Sequence, residues 1–254
     1  MSSSSSEFVN FSYERAVGAQ QVKCFSNRGG KLVEHVRDAE GDFVRRIYAP
    51  DGIGDVVSAG LSFSDAWSEF NTMFETAGIN VVPSTLVEET ADDLPIIVTK
   101  YLGNLDKTTG FNALPIDSKV EIAGNIGKLL TASKDFLPRA KGFMPDTFAI
   151  DRDTGELVMV DVDPYLRPRE YGFSARIDKI KKEDVQGAFM VRFGWNLAEW
   201  AINDEERQAM ATAFVRTAGQ VLADDSGMEL INRFGYVHFM ANGMTPEQLK
   251  GLGY

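Results

Sequence analysis

A chain of 254 residues, 44% hydrophobic and 25% charged, is long enough to bury a sizeable core and suits one large domain or two lobes. Its formal net charge of −11 argues against the basic surface with which sequence-independent nucleic-acid binders release counterions, so no nucleic-acid partner is expected. No run of about 18 apolar residues occurs, so no helix is expected to span a membrane, and the single cysteine, Cys24, excludes an intrachain disulfide or a cysteine-rich zinc site and fits a reducing, cytoplasmic setting.

The chain starts with Met1 and an unbroken run of serine over residues 2–6, which has neither the basic start nor the apolar core of a secretory signal. Residues 1–15 therefore read as a disordered tail. Serine-rich starts also occur in bacterial proteins injected through type III machines, which makes an injected effector the alternative to a cytoplasmic protein. The two histidines, His35 and His238, lie far apart, so a histidine-based metal site or triad is not expected.

From there the first third reads as β-rich. Strand candidates over residues 22–25 and 31–36 flank Ser26-Asn27-Arg28-Gly29-Gly30, a turn signal, and a polar turn over residues 38–42 precedes Phe43-Val44-Arg45-Arg46-Ile47-Tyr48. A helix is predicted over residues 64–77, with Ser64 as N-cap, Gly78 just past its end, and Ala66, Trp67, Phe70, Met73, Phe74 and Ala77 on one face. Glu69 lies beside that stripe, either as a solvated flank or as a carboxylate reaching a basic residue on the preceding strand. Residues 79–87 and 95–101 read as two more strands joined by an acidic loop, and Leu102-Gly103-Asn104 reads as a crossover between lobes.

A long helix follows over residues 118–136, with Ile122, Ile126, Leu129, Leu130 and Ser133 on one face and Pro138 ending it. Past residue 164 the pattern turns helical: residues 185–202 are apolar and carry Trp195 and Trp200, and Asn203 is placed to cap a helix over residues 204–223. This gives a β-rich lobe over residues 16–101 and a mainly helical lobe over residues 102–254.

Between the long helix and the later helices stands the segment PDTFAIDRDTGELVMVDVDP, residues 145–164. A strand candidate, Phe148-Ala149-Ile150, a turn at Asp153-Thr154-Gly155, and an apolar run over residues 157–160 deliver two carboxylates, Asp161 and Asp163, where the chain leaves a hairpin. Mg²⁺ takes one or two protein carboxylates and completes its shell with waters and substrate phosphates, which these acids suit. Asp after a strand is also a common turn former.

The order of three strands, a helix, two strands, a crossover, a long helix, a polar loop, a hairpin ending in Asp and then helices resembles the protein-kinase-like fold over residues 20–225. The likeness is closer to the aminoglycoside-phosphotransferase and other bacterial kinase-like branches than to eukaryotic protein kinases. It implies an α+β, two-lobed fold that uses ATP and Mg²⁺ to phosphorylate a protein or small-molecule acceptor. On that resemblance Asp161 would hold the metal, with Asp163 as a second acid, and Arg46 would take the place of the strand-three lysine, with Arg45 as the fallback if the register slips and Glu69 as its partner. Gly29 and Gly30 would stand at the phosphate loop, although the spaced glycines of the family are missing and a lone glycine pair is usually just a hairpin turn. Tyr101, at the start of the crossover, counts among the cofactor-binding positions.

The catalytic loop departs from the family pattern. The stretch Ala140-Lys141-Gly142-Phe143-Met144-Pro145-Asp146-Thr147 puts Gly142 where the catalytic Asp belongs and Thr147 where the metal-binding Asn belongs, leaving Asp146 as the substitute that orients the acceptor. Two further readings therefore stand beside an active phosphotransferase: a pseudokinase that uses the scaffold as a protein-binding module, and an unrelated α+β protein.

Overall fold

The computed structural model describes residues 11–50, 60–87, 94–102, 111–138, 147–151, 153–168 and 200–221. Helix α1 (Tyr13–Gly18) opens this part, followed by strands β1 (Gln20–Arg28), β2 (Lys31–Arg37) and β3 (Asp42–Tyr48). Helix α2 (Phe63–Ala77), strands β4 (Ser84–Val87) and β5 (Ile96–Lys100), and helix α3 (Ile116–Ala132) come next. Short strands β6 (Phe136–Pro138), β7 (Phe148–Ile150), β8 (Leu157–Met159) and β9 (Leu166–Pro168) precede helix α4 (Asp204–Val221). The architecture is α+β, as expected.

The first five strands form an antiparallel sheet in the order β1-β2-β3-β5-β4. Period-2 alternation gives its middle strand two different faces. Phe43, with Val36 opposite it and Val98 opposite Arg45, packs with Phe11 and Ala16 beneath α1, forming a small outer core. Tyr48 and Ile97 face the other way, into a larger core shared with α2, α3, the β7–β8 hairpin and α4. That larger core crosses the boundary expected at residue 102.

The disordered tail expected over residues 1–15 needs correction at its end. Ser12 caps α1 by accepting from the Arg15 N–H at 3.2 Å, and Phe11 is buried with its ring 4.6 Å from that of Phe43. A serine followed by a short amphipathic turn is too brief to separate from a polar tail by composition, and only the apolar sheet face gives it something to bury.

Helix α2 begins one residue earlier than predicted, because Ser62 rather than Ser64 supplies the cap: its Oγ accepts from the Asp65 N–H at 3.0 Å. At the other end Gly78 adopts φ 73°, and its N–H reaches back to the Phe74 and Glu75 carbonyls. The predicted face holds, with Trp67 half-buried at its margin.

The strand predicted over residues 79–87 is two pieces with different partners. Val81 bridges Met159 in parallel, and the Val82 N–H donates to the Met159 carbonyl at 2.9 Å. Beyond Pro83, β4 pairs with β5. Proline lacks the N–H a continuous ladder would use, so the switch falls there. Its consequence is positional, since the segment after α2 clips the β7–β8 hairpin to the side of the sheet.

Helix α3 starts at Ile116 and stops at Ala132, short of the predicted 136. Ser133 is extended, its Oγ accepts from the Asp135 and Phe136 N–H groups, and the chain then pairs as β6 with β9. Helical periodicity ran on through Ser133 because that residue stays buried. Helices α3 and α4 pack closely: a Cβ at Gly124 would sit 3.3 Å from Thr217 Oγ1. Lys119, with 0% side-chain exposure, pairs with Glu206 at 2.9 Å across them. Asn203 caps α4 as predicted, accepting from the Glu206 N–H at 2.8 Å. Trp200 is buried against Phe111 and Phe148, whereas Trp195 and most of the apolar stretch 185–202 lie outside the described residues. No described helix is long and apolar enough to cross a membrane.

Candidate functional site

Strand alternation places Val44, Arg46 and Tyr48 on the inner face of β3, with Lys31 of β2 opposite Tyr48 and Ile97 of β5 opposite Arg46. The hairpin comes up beside that face. Its exit is fixed by two backbone bonds, from the Met159 N–H to the Asn80 carbonyl at 2.8 Å and from the Val160 N–H to the Thr147 carbonyl at 2.7 Å. Asp161 and Asp163 follow directly, so strand pairing brings Asp163 to residues of the sheet that carry donors.

Arg46 is 6% exposed and spans the junction. Its Nη1 donates to Thr99 Oγ1 at 3.0 Å and its Nη2 to the Val160 carbonyl at 2.6 Å, while its buried Nε has no hydrogen-bond partner among the described residues. The expected pair between Arg46 and Glu69 does not form. A planar guanidinium binds along fixed directions, and here they run to β5 and to the hairpin instead of to α2. The fallback is settled as well: Arg45 lies on the outer face, where it pairs with Glu34 at 2.7 Å and donates to the Ala16 and Val17 carbonyls at the end of α1.

Asp163 is held from two sides. Tyr48 Oη donates to its Oδ1 at 2.7 Å, and Lys31 Nζ forms an ion pair with its Oδ2. Burial alone would push the Asp163 carboxyl up, but the Lys31 and Arg46 charges and the hydrogen bonds from Lys31 and Tyr48 outweigh it and hold the pKa below the ordinary carboxylate value. Burial and the neighbouring Asp163 charge push the Tyr48 phenol well up, so it stays a donor. The second metal acid expected from the sequence is thus an ion-paired carboxylate, with Asp161, half-buried, two residues before it.

The remaining expected residues fall around this cluster. Gly29 and Gly30 form the two-residue β1–β2 turn, both at positive φ (63° and 69°), as the favoured hairpin turn of that length requires, and Lys31 follows immediately. Tyr101 stacks on His35 with ring centroids 3.9 Å apart, and His35 Nε2 lies 2.7 Å from Asp42 Oδ1. Thr147 is 3% exposed, in the turn leading into β7. Asp151 and Asp153, at the far end of the hairpin, are taken by Lys100 at 3.0 and 2.8 Å. Asp146 and Gly142 lie outside the described residues.

Sequence reasoning missed Lys31, Tyr48 and Lys100. Tyr48 was legible, because it stands two residues from Arg46 on the same strand face. Lys31 and Lys100 were not, since each meets its acid across more than fifty residues of chain. By donor chemistry Asp161, Asp163 and the Thr147 hydroxyl are hard oxygens of the kind Mg²⁺ takes, and Mg²⁺ needs only one or two carboxylates beside phosphate oxygens; both oxygens of Asp163 are here engaged by Tyr48 and Lys31. Among the described residues no group of three or more His, Cys, Asp or Glu forms a metal cage.

No protein-family model matches the chain, and no curated protein matches it. Among the many solved chains that do match is one titled "Structure of vaccinia related kinase 3", aligned over 78% of this chain and 72% of that chain at 10% identity with a TM-score of 0.45. A similarity of that size carries no argument for activity.

Proposed function

We propose that this chain is a divergent kinase-like phosphotransferase that uses ATP and Mg²⁺. The observation that carries the reading is the meeting of Asp163, at the exit of an antiparallel hairpin and two residues after Asp161, with Lys31 of β2, which follows the two-glycine turn, and with Tyr48 and the Arg46 charge of β3. In this reading Asp161, with Asp163 or Thr147, holds Mg²⁺, which neutralises charge on the phosphate oxygens when bound.

The chain's own residues do the positioning. Arg46 ties the Val160 carbonyl to the sheet and so fixes the backbone that carries Asp161. Tyr48 holds one oxygen of Asp163. The Gly29–Gly30 turn leads directly into Lys31, and the stacked His35 and Tyr101 rings offer a flat aromatic surface. Asp146 orients a protein or small-molecule acceptor. The test is an ATP titration followed by thermal shift, with and without Mg²⁺: Mg²⁺-dependent stabilisation of the wild type that disappears in Asp161→Ala supports the reading, and no stabilisation of the wild type overturns it.

A pseudokinase that binds a protein partner is the second reading. It is favoured by Gly142 in place of the catalytic Asp and by the burial of Thr147 at the position of the metal-binding Asn. Transfer of labelled phosphate to any acceptor, lost in Asp161→Ala, excludes it.

A further inference from the structure

Two cations stand at the candidate site, and their environments differ. Arg46 is engaged: its Nη1 and Nη2 bond Thr99 and the Val160 carbonyl, and turning it towards a ligand would strand both of those acceptors in the junction between sheet and hairpin. Lys31 is the less confined of the two. It opens β2 directly after the Gly29–Gly30 turn, its side chain is 18% exposed, and its ammonium has one ionic partner among the described residues, Asp163, with the Tyr165 ring 5.9 Å away.

We propose that Lys31, rather than Arg46, is the cation that receives the nucleotide phosphates, and that its ion pair with Asp163 closes the site until they arrive. The inference rests on the nucleotide-binding reading above and deepens it. A lysine is a compact charge on a flexible four-carbon stem and changes partner by rotating single bonds, whereas a guanidinium held at both terminal nitrogens does not. Asp163 tolerates the exchange, because Tyr48 keeps its bond to Oδ1 when Lys31 leaves Oδ2. The released oxygen then faces the incoming ligand. Binding of phosphate and exposure of the second carboxylate become one event, and in the unliganded protein the pair keeps a buried acid compensated.

The experiment compares binding of Mg²⁺ and ATP by the full chain and by Lys31→Met and Lys31→Arg. The expected result is a rise in Kd of about tenfold or more for Lys31→Met, the loss of one charge-assisted contact, with Lys31→Arg closer to the wild type. Binding by the wild type that Lys31→Met leaves unchanged overturns this inference and spares the nucleotide reading; absence of binding by the wild type overturns both.

A second measurement needs no variant. A nucleotide acyl phosphate carries its acyl carbon where the phosphates sit. Attack by Lys31 Nζ, after it loses its proton to solvent, forms an amide C–N bond, breaks the acyl C–O bond and releases the nucleotide. Mass spectrometry should find the acyl group on Lys31, suppressed by excess ATP. ATP-protected labelling of other lysines with Lys31 unmodified overturns the proposal.

Discussion

Arg45 and Arg46 are neighbours on β3, point to opposite faces of one sheet, and meet different fates. On the outer face Arg45 is fully employed: it pairs with buried Glu34 and accepts the burden of two carbonyls left over at the end of α1. On the inner face Arg46 links β5 to the hairpin exit with one nitrogen lacking a partner among the described residues, beside Asp163, Lys31 and Tyr48. The first is a closed structural joint, and the second frames the candidate site. Charge by itself does not distinguish them; the partners do.

Breaking the outer joint should have the largest effect. Arg45→Ala leaves Glu34 buried without compensation and removes the cap of α1, so chemical denaturation should show a loss of about 3–5 kcal/mol. If the loss matches that of an ordinary surface change, the outer joint is not what holds α1 to the sheet. Arg46→Lys should cost less, about 1–3 kcal/mol, because a single ammonium cannot bond Thr99 and the Val160 carbonyl along both directions of the fork. Its effect on ATP affinity should be smaller than that of Lys31→Met, which sharpens the division between frame and ligand-binding cation.

Tyr48→Phe should have an effect of similar size, about 1.5–3 kcal/mol at most at neutral pH, the range for a hydrogen bond to a charged group. It also has a pH signature. The folded pKa of Asp163 lies below its unfolded value near 3.8, so the stability it contributes is present above that value and is lost as the pH falls through the lowered one. Denaturation midpoints measured from neutral pH downwards should therefore fall less steeply below about 3.8 in Tyr48→Phe and in Asp163→Asn than in the wild type. Parallel acid limbs in all three would remove Asp163 as a source of the pH dependence.

Much of the frame was legible because it rests on local patterning. The alternation in Phe43-Val44-Arg45-Arg46-Ile47-Tyr48 separates the two arginines and puts Tyr48 with Arg46, and the stripe from Ala66 to Ala77 with Gly78 after it defines α2. The hairpin that delivers Asp161 and Asp163 could be read from its turn residues, and Gly155 takes the positive φ such a turn needs. What failed depended on distant partners. Glu69 and Arg46 look complementary along the chain, yet the nearer acceptors of Arg46 come from β5 and from Val160, 114 residues away. The strand through Pro83 divides because one half meets the hairpin and the other meets β5.

The sequence by itself determined the class of the protein, the two-faced β3, the position of α2 and the carboxylates at the hairpin exit, since hydrophobic period, caps and turn residues act over a few positions. Only the tertiary structure decided which cation each acid meets. That choice depends on distances between chain segments brought together by the core, and Coulomb and hydrogen-bond energies fall off too steeply for sequence order to stand in for those distances.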